Sequence, residues 1–203
     1  MTMPYTAVQP PAHPARSLSS HMPHHNRIPT SEEIKALWED LGEPLYPVHV
    51  SAHGAAYPDE TARTFLAETG FPESAEPGLD FTDLSEKLFT HTQLYTRDDF
   101  PALDEYLVIG ATGEGNPICI ETNNGSIIYV DHDNGFEAIF INSSLILFNY
   151  CMALYNSTVR QEAITTDNLK SLEEALYQAD PKALEENAFW TNELLILERK
   201  ITL

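Results

Sequence analysis

Apolar residues recur along this chain in two different periods, and the changeover separates helical from extended stretches. Thr30 and Glu33 have the spacing of a capping box, in which a hydroxyl and a carboxylate satisfy orphan N–H groups at a helix start. Ile34, Leu37, Trp38 and Leu41 follow at i, i+3, i+4 and i+7, one face of a helix, and Gly42 ends the run. A second helix is predicted from Pro58, a favoured first-turn residue, with Ala62, Phe65, Leu66 and Thr69 inward and a stop at Gly70 and Pro72. Residues 72–80 carry Pro and Gly and read as loop.

The period then shortens. Leu84 to Tyr95 alternates loosely, enough for one or two short strands. Tyr106-Leu107-Val108-Ile109 is an apolar run closed by Gly110, as in a buried strand. Ile118-Cys119-Ile120 and Ile127-Ile128-Tyr129-Val130 flank Asn123-Asn124-Gly125, and Asn-Gly tolerates the positive φ angles of a tight hairpin. Asp131-His132-Asp133-Asn134-Gly135 makes another turn before a strand over Phe136 to Ile141. An antiparallel meander of about four strands follows, or five to six with the earlier segment.

Helical spacing returns after the meander. Asn142 or Ser143 is placed to cap a helix running to about Asn156, with Phe148, Cys151, Met152 and Tyr155 as its stripe. Ile146 and Tyr150 make its other side apolar, so it is expected to be buried on more than one side. Asp167 is placed to cap a helix carrying Leu169, Leu172 and Leu176. Asp180-Pro181 restarts the chain as a last helix, along which Trp190, Leu194, Leu197 and Ile201 align. Helices, strands, then helices describe an α+β fold: an antiparallel sheet of about five to six strands flanked by helices. Residues 31–203 show no internal repeat or linker and read as one domain. Residues 1–30, rich in Pro, His, Ser and Ala without an apolar period, read as a disordered tail.

Composition narrows the functional classes. Apolar residues make up 42% of the 203, enough for a core without disulfide or metal staples. No apolar run approaches the roughly 20 residues that cross a bilayer, and the start lacks the pattern of a secretory signal. Cys119 and Cys151 fall in a strand and a helix and are expected to be buried, reduced thiols, which suits the cytoplasm. The chain has 31 Asp and Glu against 11 Lys and Arg, a net charge of -20. Residues 1–30 contain Arg16 and Arg27 and no acid, so 31–203 carry 31 acids and 9 bases, a net of -22. Such a surface repels nucleic acid and anionic membranes, and it attracts a basic protein.

The motifs of catalysis and cofactor binding are missing or incomplete. Gly110-Ala111-Thr112-Gly113-Glu114-Gly115 lacks the Lys-Ser/Thr pair of a phosphate loop and leads into a strand, so it reads as an inter-strand loop. Asp131, Asp133 and Asn134 resemble a calcium loop, but Gly135 is one position early and Asn142 stands where the closing acid belongs. No G-x-S-x-G elbow and no H-E-x-x-H pattern occurs. His21, His24 and His25 lie in the tail; His53, His91 and His132 are isolated loop or strand-edge residues, and His49 flanks a proline. Asp98-Asp99 and Asp104-Glu105 are acid pairs that chance supplies in so acidic a chain. No metal, cofactor or enzymatic activity is expected.

Four segments, taken in order, carry a family likeness. Thr64 to Pro72 forms an amphipathic helix ending in a Gly-apolar-Pro corner, and Tyr106 to Gly110 a central strand ending in glycine. Ile118 to Val130 forms a hairpin with Gly125 at its turn. Phe140-Ile141-Asn142-Ser143-Ser144, with Phe148 beyond, forms a strand-to-helix junction with an Asn-Ser cap. In this order and spacing, residues 61–155 resemble the SUKH superfamily of bacterial immunity proteins, most of all its fourth subgroup, and Trp190 suits that subgroup. The resemblance implies a SUKH-like fold and a protein that binds and blocks the toxin of a polymorphic toxin system, often a nuclease or nucleic-acid deaminase. Relatives among fungal cell-wall regulators and herpesviral proteins make a regulatory protein-binding scaffold the alternative.

The leading expectation is therefore an immunity protein whose partner is a basic cognate toxin, and not nucleic acid or a membrane. Its contact surface is placed on the strand-end loops around Glu114, Asp131, Asp133 and Glu137, with Asp98 and Asp99 as neighbours. An enzyme built from dispersed acids is the third reading, recognisable by tight metal binding or a pocket carboxylate of strongly raised pKa.

Overall fold

A computed structural model describes residues 27–48, 60–81, 88–95 and 103–202. Helix α1 (Ser31–Leu41) begins at the expected capping box. Thr30 Oγ1 accepts the Glu33 N–H, while the Glu33 carboxylate accepts the Thr30 N–H at 2.8 Å. Gly42, at φ +73°, ends the helix, and Ile34, Leu37 and Trp38 are buried. Helix α2 is described over Glu60–Glu68 and buries Phe65 and Leu66; its expected start at Pro58 lies outside the described residues.

The strands are β1 (Ser74–Ala75), β2 (Leu79–Asp80), β3 (Phe89–Thr90), β4 (Tyr106–Thr112), β5 (Pro117–Glu121), β6 (Ile127–Asp131) and β7 (Glu137–Asn142). They form one antiparallel sheet in the order β1-β2-β4-β5-β6-β7, with β3 also pairing with β4. The edge of β4 away from β5 is thus shared. β2 takes Ala111 and Thr112, and β3 takes Leu107 and Val108. The sheet exceeds the expected five to six strands because residues 72–80, read as loop, hold the β1–β2 hairpin. Two residues per strand give little ladder, and help comes from a helix: Asn156 accepts the Glu76 N–H and donates to the Glu76 carbonyl, both at 3.1 Å.

Other departures have similar local causes. Gly110 does not stop β4 but lies within it, after a register shift between Val108 and Gly110. A Cβ there would stand 2.6 Å from the Asp80 carbonyl oxygen, so glycine lets β2 close on β4. The expected glycine-rich loop shrinks to the turn after Thr112. The Asn-Gly hairpin is wider than foreseen: only Gly125 takes positive φ, +78°. Asn124 instead accepts the Ser126 N–H at 2.7 Å and donates to Glu121. Where a further strand seemed available, the one-turn helix α3 (His91–Leu94) is closed by a Thr90–Gln93 capping box. His91 is buried at its start against Tyr95, not placed at a strand edge.

The sheet is apolar on both faces. Leu107, Ile109, Ile118, Ile120, Ile127 and Ile141 pack beneath the helices. Cys119, Ile128 and Val130 form a second cluster on the opposite face, with Leu103, Tyr106, Val108 and Phe136. Phe89, Val108, Cys119, Ile128 and Phe140 are successive cross-strand partners in one row over that face. Both cysteines are free and buried, and burial pushes each thiol well above its ordinary pKa.

Helix α4 (Leu145–Val159) is the axis of the helical layer, and 11 of its 15 residues are buried. Its cap is Ser144, which accepts the Leu147 N–H at 3.3 Å, and not Asn142 or Ser143. Those two are committed to Asp180, the residue after helix α5 (Thr166–Ala179). The Asp180 carboxylate accepts from Asn142 Nδ2 at 3.0 Å, Ser143 N–H at 2.7 Å and Ser143 Oγ at 2.9 Å. Helix α5 is itself capped by Thr165 with Asn168, while Asp167 falls in its first turn. Asp180-Pro181 opens only a 3₁₀ turn (Pro181–Leu184), and the last helix, α6 (Phe189–Ile201), starts further on.

Three buried asparagines spaced by seven residues fasten the surroundings to α4. Asn142 accepts the Trp190 indole N–H at 2.8 Å. Asn149 accepts the Trp38 indole N–H at 2.6 Å and donates to the Gly70 carbonyl at 2.8 Å. Asn156 holds the β1–β2 hairpin. Each amide satisfies a specific polar group of a neighbouring element: Asn142, at the end of β7, the Trp190 indole, and Asn149 and Asn156, within α4, the Trp38 indole and the Glu76 backbone.

Candidate protein-binding site

An antiparallel meander returns alternate turns to the same end of the sheet, which brings the β4–β5 and β6–β7 turns together. Asn116, buried at the foot of the first turn, accepts the His132 N–H at 3.1 Å and also meets the His132 ring. The β1–β2 turn joins them: a Cβ on Gly78 would stand 3.8 Å from the Gly113 backbone. Three turns that are remote in sequence thus form one continuous rim, stiffened by side chain–backbone bonds. Asp131 Oδ1 accepts the N–H groups of Asp133 at 3.1 Å and Asn134 at 3.2 Å, and Asn134 donates to Glu137 at 2.8 Å. Gly135 and Phe136 complete the turn at positive φ.

The structure brings Glu114, Asp131, Asp133 and Glu137 together on this rim. Asp98 and Asp99 lie outside the described residues. Asp104 and Glu105, the other acid pair, are exposed in the turn before β4. Sequence reasoning missed two members. Glu76 rides on the hairpin read as loop, although its Pro77-Gly78 dipeptide is a turn signal. Glu193 comes from α6, and nothing local in the sequence ties that helix to the turns. Its position follows from aromatic packing: Phe189 meets Tyr129 with ring centroids 6.1 Å apart, and Trp190 meets Tyr155 at 5.4 Å.

Two side chains register the accumulated charge. The half-buried Tyr129 hydroxyl is raised above its ordinary pKa by burial, then by the carboxylates of Asp131, Glu114, Glu193 and Glu137. Glu193 is itself raised, chiefly by burial and further by Glu114 and Glu76, against the Tyr155 hydroxyl bond and Lys200. Among the described residues, no Lys or Arg forms an ion pair with Glu76, Glu114, Asp131, Asp133, Glu137 or Glu193; Asp133 meets only His132.

A raised carboxyl pKa means that the folded state binds a proton more readily than the unfolded state. The Glu193 contribution therefore favours folding at low pH and is lost as pH rises from the ordinary carboxylate range through the folded value. Glu193→Gln keeps an acceptor for Tyr155 and removes the charge. It is expected to raise the melting temperature at pH 7, and by less at pH 4, as read by calorimetry at both pH values.

A cleft of about 920 Å³ opens beside the rim, between β2, β3 and β4. Leu79, Phe89, Tyr95 and Val108 give it apolar walls, Glu76 also lines it, and no histidine or cysteine among the described residues does. Arg160, also on its wall, is held by Glu43 at 2.9 Å. Among the described residues no group of three His, Cys, Asp or Glu is arranged to hold a metal ion. No helix among them is long and apolar enough to cross a membrane. The rim thus presents fixed negative charge beside a cleft whose apolar walls are buried or half-buried.

A comparison with family models matches residues 45–198 to the SUKH-4 immunity proteins. No curated protein and no solved structure matches the chain. The match covers all seven strands and the helices from α2 almost to the end of α6, so it spans the rim and the scaffold that carries it. The chain belongs to the SUKH-4 immunity protein family, which implies a role in immunity to a toxin.

Proposed function

We propose that this protein neutralises a toxin acting on nucleic acid, a nuclease or deaminase, by seating its acidic rim over the toxin's basic active-site cleft. The observation that carries the reading is the convergence of Glu76, Glu114, Asp131, Asp133, Glu137 and Glu193 on one end of the sheet, where none of them forms an ion pair with a lysine or arginine among the described residues. A site that grips a phosphate backbone must offer cationic side chains. Carboxylates held in fixed positions compete for those cations as the polymer does. Long-range attraction of a surface this negative speeds encounter by roughly 10–10³-fold at low ionic strength. Affinity needs apolar anchors as well, because buried charge pairs do not guarantee net gain. Leu195 and Ile196 on α6, 46% and 41% exposed, supply such surface.

Asp131→Lys with Asp133→Lys tests the reading. Association with the cognate toxic domain is expected to slow about tenfold at low salt, with a much smaller change in 0.5 M salt. Stopped-flow kinetics at the two salt concentrations measure it, and association that is equally fast for the variant at low salt removes these loops from the interface.

A further inference from the structure

The two outer edges of the sheet are protected unequally. β1 is two residues long, too short to template another strand. β7 has six residues and pairs only with β6 among the described residues. Its far end is occupied: Asn142 bonds Asp180 and Trp190, and Ile141 stands in the irregularity of the β6–β7 register. Glu137 to Phe140 pair regularly with β6, and Glu137 and Ala138 are exposed while Ile139 and Phe140 are half-buried. In an antiparallel strand, the backbone groups of alternate residues point away from the partner. This stretch lacks the Pro, Lys and bulge that usually blunt an edge.

We propose that β7 accepts an extended, basic segment of the toxin as an added strand, docking the toxin by backbone pairing at the border of the acidic rim. The proposal rests on the immunity reading above and specifies how the partner is held. Side-chain alternation states what the segment must offer. Phe140 continues the apolar row of Val108, Cys119 and Ile128 across the outer face, so the residue beside it is apolar. Toward the other end the added strand passes Glu137 and the Asp131 turn, where Lys or Arg meets carboxylates that have no lysine or arginine partner among the described residues. A second copy of this chain fits less well, since its own net charge of -20 would bring like charge to the same edge.

Two measurements on the full chain test this. In hydrogen exchange, the amides of Ala138 to Phe140 are expected to become protected when the cognate toxic domain is bound. Prolines are then placed singly at Ala138 and Ile139. Adjacent N–H groups point to opposite sides, so one proline spares the β6 ladder and the other breaks it. The variant with an unchanged melting temperature is expected to weaken toxin binding by at least about tenfold. A tight complex with unprotected β7 amides, or undiminished binding by that variant, overturns the edge-strand proposal and leaves immunity standing. Failure of the unaltered chain to bind overturns both. A dimer in analytical ultracentrifugation that the same proline dissolves assigns the edge to a second copy and likewise overturns it.

Discussion

Gly70→Ala is expected to lower the melting temperature by roughly 6–12 °C. Gly70 sits at φ +71°, where an added Cβ costs about 1–2 kcal/mol for its conformation alone. The space is closed as well. That Cβ would fall 1.9 Å from the Tyr46 carbonyl oxygen and 2.7 Å from Pro47 Cα, both backbone. The neighbouring strand of chain must move, which disturbs the Tyr46–Phe71 bridge and the Asn149 bond to the Gly70 carbonyl. About 3 kcal/mol in total, at about 2–4 °C per kcal/mol for a chain of this size, gives the shift. Gly115→Ala is the control, since it shares a positive φ but meets nothing within 4 Å and should show the conformational cost alone. Calorimetry distinguishes the two, and equal shifts would contradict the packing account.

Asp180→Ala should cost about 2–4 kcal/mol. The buried carboxylate ties the end of α5 to the junction between β7 and α4, and its removal leaves Asn142 Nδ2 and the Ser143 N–H and hydroxyl without their acceptor. Asn142 also fixes the Trp190 indole, so the loss reaches α6. Asp180→Asn retains one acceptor oxygen but turns an amide toward donors, and an intermediate loss is expected. Denaturant unfolding followed by tryptophan fluorescence reads both, and an alanine variant as stable as the unaltered chain would show that this junction holds nothing together.

What the sequence reveals here depends on whether the determining contacts are local. The α1 capping box, the stripe of α4 and the four-strand meander are written within windows of a dozen residues, and the structure follows them. Caps chosen between neighbours went astray where a distant group intervened. Ser143 looks like a cap until Asp180, 37 positions on, claims its N–H and hydroxyl. Of the β1–β2 hairpin only the Pro77-Gly78 turn is legible locally, since Asn156, 80 positions away, completes its hydrogen bonding. The rim divides likewise. Turn position identifies Glu114, Asp131, Asp133 and Glu137, because a meander must return alternate turns to one end. Glu76 and Glu193 arrive through tertiary packing of a short hairpin and of α6, which no local spacing encodes.

Toxin neutralisation by the acidic end of the sheet is directly testable in cells. The most direct measurement is survival of cells producing the cognate toxic domain together with either the unaltered chain or a Glu114→Lys, Asp131→Lys, Glu137→Lys variant of matched melting temperature. Growth is expected with the unaltered chain and death with the variant. Equal protection by the folded variant, or none from either chain, would contradict neutralisation by the rim.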